Sequence, residues 1–404
     1  MGKWQFHTPD GVTDLLPEDC AAKRQLETSL RQIFSLRGYQ EIETPSIEFY
    51  DVYAAGTGFA SQEGLFKFFD QQGRILCLRY DGTVPVARVA ATVCRDAEPP
   101  LRFSYVGSMY RYNEYGGGRQ REFSQAGVEL LGSQSPEADA EVIATAIASA
   151  LACNIQDLHV SLGQVDFFKG FLAEWGIEGE DAELLPRLID GKEMVALEEL
   201  ATRLRLPSRG REVLLKMASS YGTFDLLDEM SALVTQPIAG KALQNLRDVL
   251  AILDDYGYLD YVSIDLGLLQ SLNYYTGIIF KGFTYGIGFP LFSGGRYDQL
   301  VQSFGRELSA TGFSIGLNFV LTALRRQNRL ASCQESVVLL GYGPGQRIAA
   351  FALAARMRQE GQRVICDCQN QTLEDLQKQA SQQAGCEIAY LESEGRIIRS
   401  GKGS

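Results

Sequence analysis

Arginines stand on both sides of a glycine-rich loop in residues 109–125, which have the sequence MYRYNEYGGGRQREFSQ. Two strand-like pieces flank the loop, so this run predicts a hairpin that presents Arg111 from one strand and Arg119 and Arg121 from the other. Guanidinium groups bind carboxylate and phosphate oxygens through paired hydrogen bonds. The spacing therefore indicates an anion site, although a solvated, charged hairpin is an open alternative.

Other kinds of chemistry are disfavoured by the composition. The 404 residues include only two histidines, His7 and His159, and eight scattered cysteines without a C-x-x-C pair. This argues against a metal site and against Ser-His or Cys-His nucleophilic catalysis, and favours reduced thiols that fill a core. The run 341–345, GYGPG, lacks the sixth-position glycine of a dinucleotide fingerprint and favours a tight turn. We expect no metal and no cofactor.

Charge and hydropathy narrow the classes of partner. The net charge is -12, whereas nucleic-acid binders usually carry a basic face, so tRNA binding is disfavoured but not excluded. The N-terminus lacks the apolar core of a signal peptide. No run approaches the roughly 20 apolar residues of a membrane span. A cytoplasmic protein without a membrane association is the expectation.

The elements that must position the hairpin alternate between helix and strand. Apolar spacing predicts a helix over 20–37 that ends at Gly38. Strands are predicted at 75–79, 101–106, 122–131, 261–264 and 274–283. A proline at the first turn marks a helix over 135–151. A glycine-rich turn is expected at 293–295, and a strand passing into a helix at 312–326.

Two regions differ from this pattern. Residues from about 165 to 256 have helical periodicity almost throughout, which predicts a helical insertion within a sheet domain of residues 1–325. Residues 334–404 alternate β, α, β, α, β, which predicts a small α/β domain with a parallel sheet.

The hairpin is similar to motif 2 of class II aminoacyl-tRNA synthetases, in the form found in histidyl-tRNA synthetases. Four more motifs of that family are matched in order over about 320 residues: Leu78–Thr83, Leu272–Gly277, Gly294–Asp298 and Gly312–Leu317, besides Arg119–Gln125 in the hairpin itself. The resemblance implies an α+β fold, with an antiparallel sheet flanked by helices, a helical insertion and a shortened anticodon-binding-like domain. It also implies a homodimer formed through the region around 41–45.

The resemblance implies an amino-acid pocket as well. The histidine-contacting positions of the family fall on Asp81, Thr83, Gln125, Glu129, Tyr274 and Tyr275, and Arg111 faces the carboxylate. Carboxylates and an amide can hold an α-ammonium group, and tyrosine hydroxyls can reach imidazole nitrogens. Asp81 replaces the family's glutamate and is one methylene shorter.

The departures from the family fall on the other half of the site. Gln270 and Phe319 stand where the family has the arginines that contact the α-phosphate and the triphosphate of ATP, and Asn113 replaces a glutamate of motif 2. Adenylation depends on fixed cationic donors, and losing one costs about 10²- to 10³-fold in rate. These substitutions predict that the ATP half of the site is lost.

A synthetase body with this loss resembles the family of ATP phosphoribosyltransferase regulatory subunits. The resemblance implies a noncatalytic subunit that binds and activates the short-form catalytic subunit at the first step of histidine biosynthesis. It also implies histidine feedback and a homodimer core within a hetero-oligomer. A divergent, active histidyl-tRNA synthetase is the alternative, and a nonenzymatic RNA- or stress-sensing module is a third. The eight basic and eight acidic residues of 333–404 disfavour a tRNA-gripping domain.

Overall fold

The computed structural model describes residues 6–54, 62–112, 120–269, 274–330, 336–382, 385–392 and 396–400. The contacts divide the chain into two compact units, residues 1–330 and 331–404. The predicted domain limits, 1–325 and 334–404, lie close to this division. No helix of the described residues is long and apolar enough to cross a membrane.

The first unit is built on strands from along its whole length. They are β1 (Gln40–Glu41), β2 (Ile47–Phe49), β3 (Lys67–Phe69), β4 (Ile75–Leu78), β5 (Leu101–Tyr110), β6 (Glu122–Leu131), β7 (His159–Gln164), β8 (Val262–Ile264), β9 (Ile278–Phe283), β10 (Phe292–Arg296) and β11 (Ala310–Gly316). The main sheet has the order β1-β5-β6-β11-β10-β9-β7-β8, and β2-β4-β3 form a small sheet. The main sheet is antiparallel from β5 to β7, but β1 and β8 join its edges in parallel. The sheet is therefore mixed rather than wholly antiparallel.

Helices cover both faces of the sheet. On its core side lie α1 (Pro17–Leu36), α4 (Pro136–Ala152) and α11 (Leu317–Arg326), together with the insertion described next. On the opposite face, α2 (Asp51–Ala54) and α3 (Thr83–Ala91) pack in a second apolar cluster with Leu101, Phe103 and Tyr105 of β5. Helix α4 is apolar on nearly all sides because it lies between the sheet and other helices. Along β6, Ala126 and Val128 join this core, so the alternate residues Gln125 and Glu129 point to the opposite face.

A block of six helices connects β7 to its parallel neighbour β8. These are α5 (Val165–Trp175), α6 (Gly179–Asp190), α7 (Met194–Arg203), α8 (Ser208–Ser219), α9 (Phe224–Leu233) and α10 (Pro237–Asp255), all within the unbroken described stretch 120–269. Parallel neighbours require a long crossover, and here the crossover is the predicted helical insertion. The apolar stripe of α10, which includes Leu243, Leu246 and Leu250, is buried in the core.

Two predictions about the strands near the site are wrong. The turn predicted at residues 293–295 is not formed, because these residues lie inside β10. A β-carbon on Gly294 would lie 2.4 Å from the carbonyl oxygen of Gly312 and 2.5 Å from the Phe280 ring, so the glycine serves close strand packing. The strand predicted over 274–283 begins at Ile278. Tyr274 and Tyr275 belong instead to the segment that leads into it.

The second unit contains β12 (Val337–Tyr342), α12 (Arg347–Gln359), β13 (Arg363–Cys366), α13 (Leu373–Ser381), β14 (Cys386–Leu391) and β15 (Ile397–Ser400). Strands β13, β12 and β14 are parallel as predicted, and β15 adds an antiparallel edge that the sequence pattern did not reveal. After β12, Gln346 N donates to Gly343 O at 3.2 Å and Gly345 has φ +80°, so the glycine-rich run forms the expected tight turn.

Replacing Gly294 with alanine should destabilise the first unit by more than about 2 kcal/mol, because the added methyl group overlaps the neighbouring strand and the Phe280 ring. Urea unfolding measures the loss. Gly240→Ala is the control, because Gly240 lies in α10 with open space around its α-carbon. This control should be neutral or slightly stabilising. Equal stability of the two variants would contradict the packing argument.

Candidate ligand-binding site

Two joined cavities open on the face of the sheet toward which Gln125 and Glu129 point. The first, of about 230 Å³, is lined by residues that include Asp81, Thr83, Arg111, Tyr274, Tyr275 and Tyr297. The second, of about 180 Å³, is lined by residues that include Gln120, Phe123, Gln125, Phe289, Asn318 and Phe319. Arg111, Ser293 and Ser314 line both. The structure thus gathers five of the predicted amino-acid ligands (Asp81, Thr83, Arg111, Tyr274 and Tyr275) around the first cavity. Gln125 lines the second cavity with Phe319, and Glu129 is buried and lines neither.

Two buried carboxyl groups define the acidic part of the site. Asp81 stands just before α3, and its Oδ1 accepts a hydrogen bond from Val84 N at 3.0 Å. Burial raises the pKa of Asp81 to about 6, despite the opposing effect of that amide. Glu129 has no solvent exposure, and burial raises its pKa to about 8 even though the Tyr297 hydroxyl donates to its Oε2. Both acids would be stabilised in their charged form by a cation in the cavity.

The buried Oε1 atom of Gln125 has no hydrogen-bond partner among the described residues. The buried Glu129 Oε1 also has no partner of good geometry there, although the hydroxyl groups of Thr83 and Tyr105 are near enough to oppose the rise of the Glu129 pKa. The Gln125 amide is oriented by its Nε2, which donates to Ser314 Oγ at 3.4 Å. A buried acceptor without a donor costs about 1–3 kcal/mol, so the site favours a molecule that brings N–H groups.

Arg111 supplies the positive charge at the junction of the cavities. Its guanidinium lies 4.5 Å from the centre of the Tyr80 ring and 5.0 Å from that of Phe123, and its Nε donates to Tyr80 O at 3.3 Å. These contacts fix its plane where an anion can reach it from either cavity. Of the predicted partners in anion binding, Arg119 falls outside the described residues. Arg121 pairs with Arg111 through the backbone, but its side chain lies over the Tyr112 ring and lines neither cavity.

Stacked tyrosines form one wall of the first cavity. The rings of Tyr274 and Tyr297 stack with centroids 5.5 Å apart and an angle of 15°, and Tyr275 meets Tyr274 edge-on at 4.6 Å. Sequence reasoning assigned no role to Tyr297, which both stacks here and holds Glu129. Its signal was present, since Tyr297 is the tyrosine of the quoted motif Gly294–Asp298, GGRYD.

A buried polar network fastens this wall to the rest of the unit. Arg296 pairs with Asp139 of α4 at 2.9 Å and with Asp298 at 3.1 Å. Asp298 Oδ2 accepts a hydrogen bond from Thr276 Oγ1 at 3.0 Å, and Thr276 N donates to Arg296 O at 2.7 Å. Thr276 directly follows Tyr275, so the network sets where the two tyrosines lie.

The second cavity is mostly uncharged. Phe319 packs against Phe289 with ring centroids 4.8 Å apart. Asn318 accepts a hydrogen bond from Ser124 N at 3.0 Å and donates to Gln120. Among the described residues that line this cavity, Arg111 alone is charged. Gln270 and Asn113 lie outside the described residues. The described part of this cavity offers an aromatic surface at Phe319, where the resemblance places an arginine that binds phosphate.

In the described part of the chain, no group of three or more His, Cys, Asp or Glu residues is placed so that it could hold a metal ion. The cysteines described there are unpaired and are mostly buried or half-buried.

Comparisons with known proteins show which family the chain belongs to. Residues 11–320 match the family model described as histidyl-tRNA synthetase. The chain is 47% identical over 367 residues to an ATP phosphoribosyltransferase regulatory subunit of Acetivibrio thermocellus, covering 91% of this chain and 88% of the relative. It is 42% identical over 397 residues to the protein of that name from Ruminiclostridium cellulolyticum, covering 98% of this chain and 95% of the relative.

Solved structures agree with this assignment. A Bacillus halodurans protein described as an ATP phosphoribosyltransferase regulatory subunit/histidyl-tRNA synthetase superposes with a TM-score of 0.86 at 30% identity, covering 97% of this chain and 100% of that one. The histidyl-tRNA synthetase of Nostoc sp. PCC 7120 superposes with a TM-score of 0.83 at 21% identity, covering 98% and 97%. The second likeness concerns the fold alone. The predicted class II synthetase-like fold is therefore confirmed.

Replacing Asp139 with asparagine should lower the free energy of unfolding by about 3–5 kcal/mol, because Arg296 would keep a buried charge without its main partner. Denaturant unfolding measures this loss. The control is Asp228→Asn, which breaks the exposed pair with Arg247 and should cost no more than about 1 kcal/mol. Similar losses in both variants would contradict the central role of the buried pair.

Glu129 should make the free protein less stable as the pH rises. Its folded-state pKa of about 8 lies above the ordinary glutamate value of 4.5, so between these values the folded state binds more protons than the unfolded state and stability falls with increasing pH. Glu129→Gln should remove this dependence, an effect on the order of 3 kcal/mol at pH 8. Unfolding at pH 5 and pH 8 tests it, with the exposed Glu183→Gln as control. An unchanged slope in Glu129→Gln would contradict the assignment.

Proposed function

Because this chain belongs to the family of ATP phosphoribosyltransferase regulatory subunits, we propose that it binds and activates the short-form catalytic subunit of that enzyme and conveys feedback by L-histidine. It performs no catalysis itself. It works in the cytoplasm as a homodimer core within a hetero-oligomer, without tRNA.

The observation that supports histidine binding is a set of groups around the cavities: the buried Gln125 amide oxygen without a donor, the buried carboxyl groups of Asp81 and Glu129, and Arg111, which lines both cavities. The α-ammonium of the ligand pairs with Asp81 and donates to Gln125 Oε1. Its carboxylate meets Arg111 at the junction of the cavities. The imidazole lies against the stacked tyrosines and donates an N–H to Glu129. Each charge of a zwitterionic amino acid thus finds its opposite.

The second cavity supports the noncatalytic role. Adenylation concentrates negative charge on the reacting phosphate, and fixed cationic side chains are needed to stabilise that charge. Phe319 offers none, and Asn318 is engaged with Gln120 and the backbone of Ser124. The relatives quoted above are named as regulatory subunits, which also favours this interpretation over an active histidyl-tRNA synthetase.

The small sheet offers a surface for the homodimer. Ile47 is 49% exposed and Phe49 is 46% exposed on β2, next to the region around 41–45 where the resemblance places the dimer contact. Two large apolar side chains beside each other on an edge strand favour burial against a second protein surface. A second copy of this chain is the proposed occupant.

Mixing the chain with a short-form ATP phosphoribosyltransferase should produce a complex in which the catalytic activity appears or rises, and histidine should lower that activity. Size-exclusion chromatography and a phosphoribosyl-transfer assay measure the two effects. Absence of both association and activation would refute the proposal. Pyrophosphate exchange into ATP in the presence of histidine would instead reveal an active synthetase.

The same complex tests the pocket. Arg111→Met should weaken histidine binding by about 10- to 100-fold in calorimetry, because a charge-assisted hydrogen bond contributes about 1.5–3 kcal/mol. Arg247→Met removes an arginine that forms an exposed ion pair in the insertion and should leave the affinity unchanged. If wild-type complex binds no histidine, the feedback role fails while the activating role stands on its own measurement.

A further inference from the structure

The helical insertion meets the sheet at a tight turn of residues 265–268, directly after β8. Asp265 N donates to Leu162 O at 2.7 Å, and Asp265 Oδ1 accepts from Gly267 N at 3.0 Å. The turn is therefore tied to the sheet by its backbone and closed by its own carboxylate. It lies shortly before the segment that carries Tyr274 and Tyr275.

Helices α6 and α8 of the insertion pack closely against this turn at Gly267. A β-carbon on Gly267 would lie 2.7 Å from the carbonyl oxygen of Met217 in α8 and 3.2 Å from Ile189 Cγ2 in α6. Only a glycine fits between the two helices and the turn without moving one of them. The loop after α8 is also paired with β8, since Ile264 N donates to Gly222 O at 2.7 Å.

The turn also contacts residues next to the ligand cavity. Leu268 forms a small apolar cluster with Val165 and Ile279, and Tyr275 packs against this cluster. Tyr275 lines the first cavity. Three layers are thus in continuous contact: the helices α6 and α8, the turn, and the tyrosine wall.

Charged groups also lie in this seam, which we define as the contact of helices α6 and α8 with the turn 265–268 and the sheet. Lys281 of β9 stands between Ser161 and Ser293 in the sheet register, and Ser293 lines both cavities. Burial lowers the pKa of the Lys281 ammonium, and the nearby Asp190 of α6 and Asp265 of the turn oppose that effect. Moving the insertion away from the sheet would leave half-buried charges less well compensated, which is costly in a low-dielectric seam.

We infer that the helical insertion positions Tyr275 through the turn 265–268, and so sets the affinity of the first cavity for its amino acid. Gly267 is the positioning residue at the contact. The inference rests on the proposed histidine binding and adds a role for the insertion. Coupling of this kind is reciprocal, so occupancy of the cavity also stabilises the packing of α6 and α8.

Gly267→Ala should weaken histidine binding by about 2- to 30-fold, the usual range for residues that couple two sites without touching the ligand. Gly240→Ala, in the same insertion but with open space around it, should bind histidine as the wild type does. Calorimetry on the complex with the catalytic subunit measures both. Equal affinities in these two variants would overturn the inference and leave the proposed function intact, whereas no binding by the wild type would overturn both.

Hydrogen exchange gives a readout that a purely local defect would not change. In the wild type, histidine should slow amide exchange in residues 189–222, although none of them lines either cavity. Lys192→Met offers a milder second variant, because Lys192 contacts Tyr221 at the edge of the seam and lies outside the core. It should keep the fold and reduce the protection of 189–222. Protection confined to the cavity residues in the wild type would refute the coupling.

Discussion

The buried pair of Arg296 and Asp139 is the interaction on which the site depends. It joins β10 to α4 on the core side of the sheet, where Asp139 is 1% exposed and Arg296 is 7% exposed. The adjacent residue Tyr297 points to the opposite face and holds Glu129. Asp298, which shares Arg296, holds Thr276 and with it the tyrosine wall. One ion pair under the sheet therefore places three groups above it, and a shift of β10 would move all of them together.

The electrostatic state of the first cavity follows from this placement. The framework buries Asp81 and Glu129 away from water, and this burial raises the pKa of both carboxyl groups. It also leaves the Gln125 amide oxygen without a donor among the described residues. Such a site is less stable without a ligand than an apolar core of the same size would be. Under the proposed function, a zwitterionic ligand removes these penalties when it binds. The arrangement that weakens the free protein would then also give the ligand its affinity.

The two cavities have opposite characters although they share Arg111. The first is polar and carries charges of both signs, which suits an amino acid. The second is lined by Phe319, Phe289 and Phe123, which suits no polyphosphate. A synthetase needs charged groups in both cavities, because it binds ATP as well as the amino acid. A histidine sensor needs charged groups only in the first cavity, where the amino acid would bind. The insertion contacts the first half through the turn at Gly267, which gives a large noncatalytic element a way to act on ligand binding.

The sequence alone determined the family and most of the order of the helices and strands. Motif spacing is a property of the linear chain, so the sequence is sufficient to identify the candidate site positions Asp81, Arg111, Gln125, Glu129, Tyr274 and Tyr275. It is also sufficient to show that Phe319 replaces an arginine of the family. The histidine-binding roles of these residues remain predictions.

Tertiary structure decided which side chains meet. Gly294 lies inside a strand, where the neighbouring strand leaves no space for a β-carbon. The side chain of Arg121 packs against Gly11 and lines neither cavity. Glu129 accepts a hydrogen bond from Tyr297, which is 168 residues away in the sequence. Its pKa is raised by burial, which also depends on packing between distant segments. The parallel edges of the main sheet and the extra strand β15 likewise depend on register between distant segments. Sequence periodicity reports only which face a residue prefers, whereas contacts and burial depend on how separate elements pack.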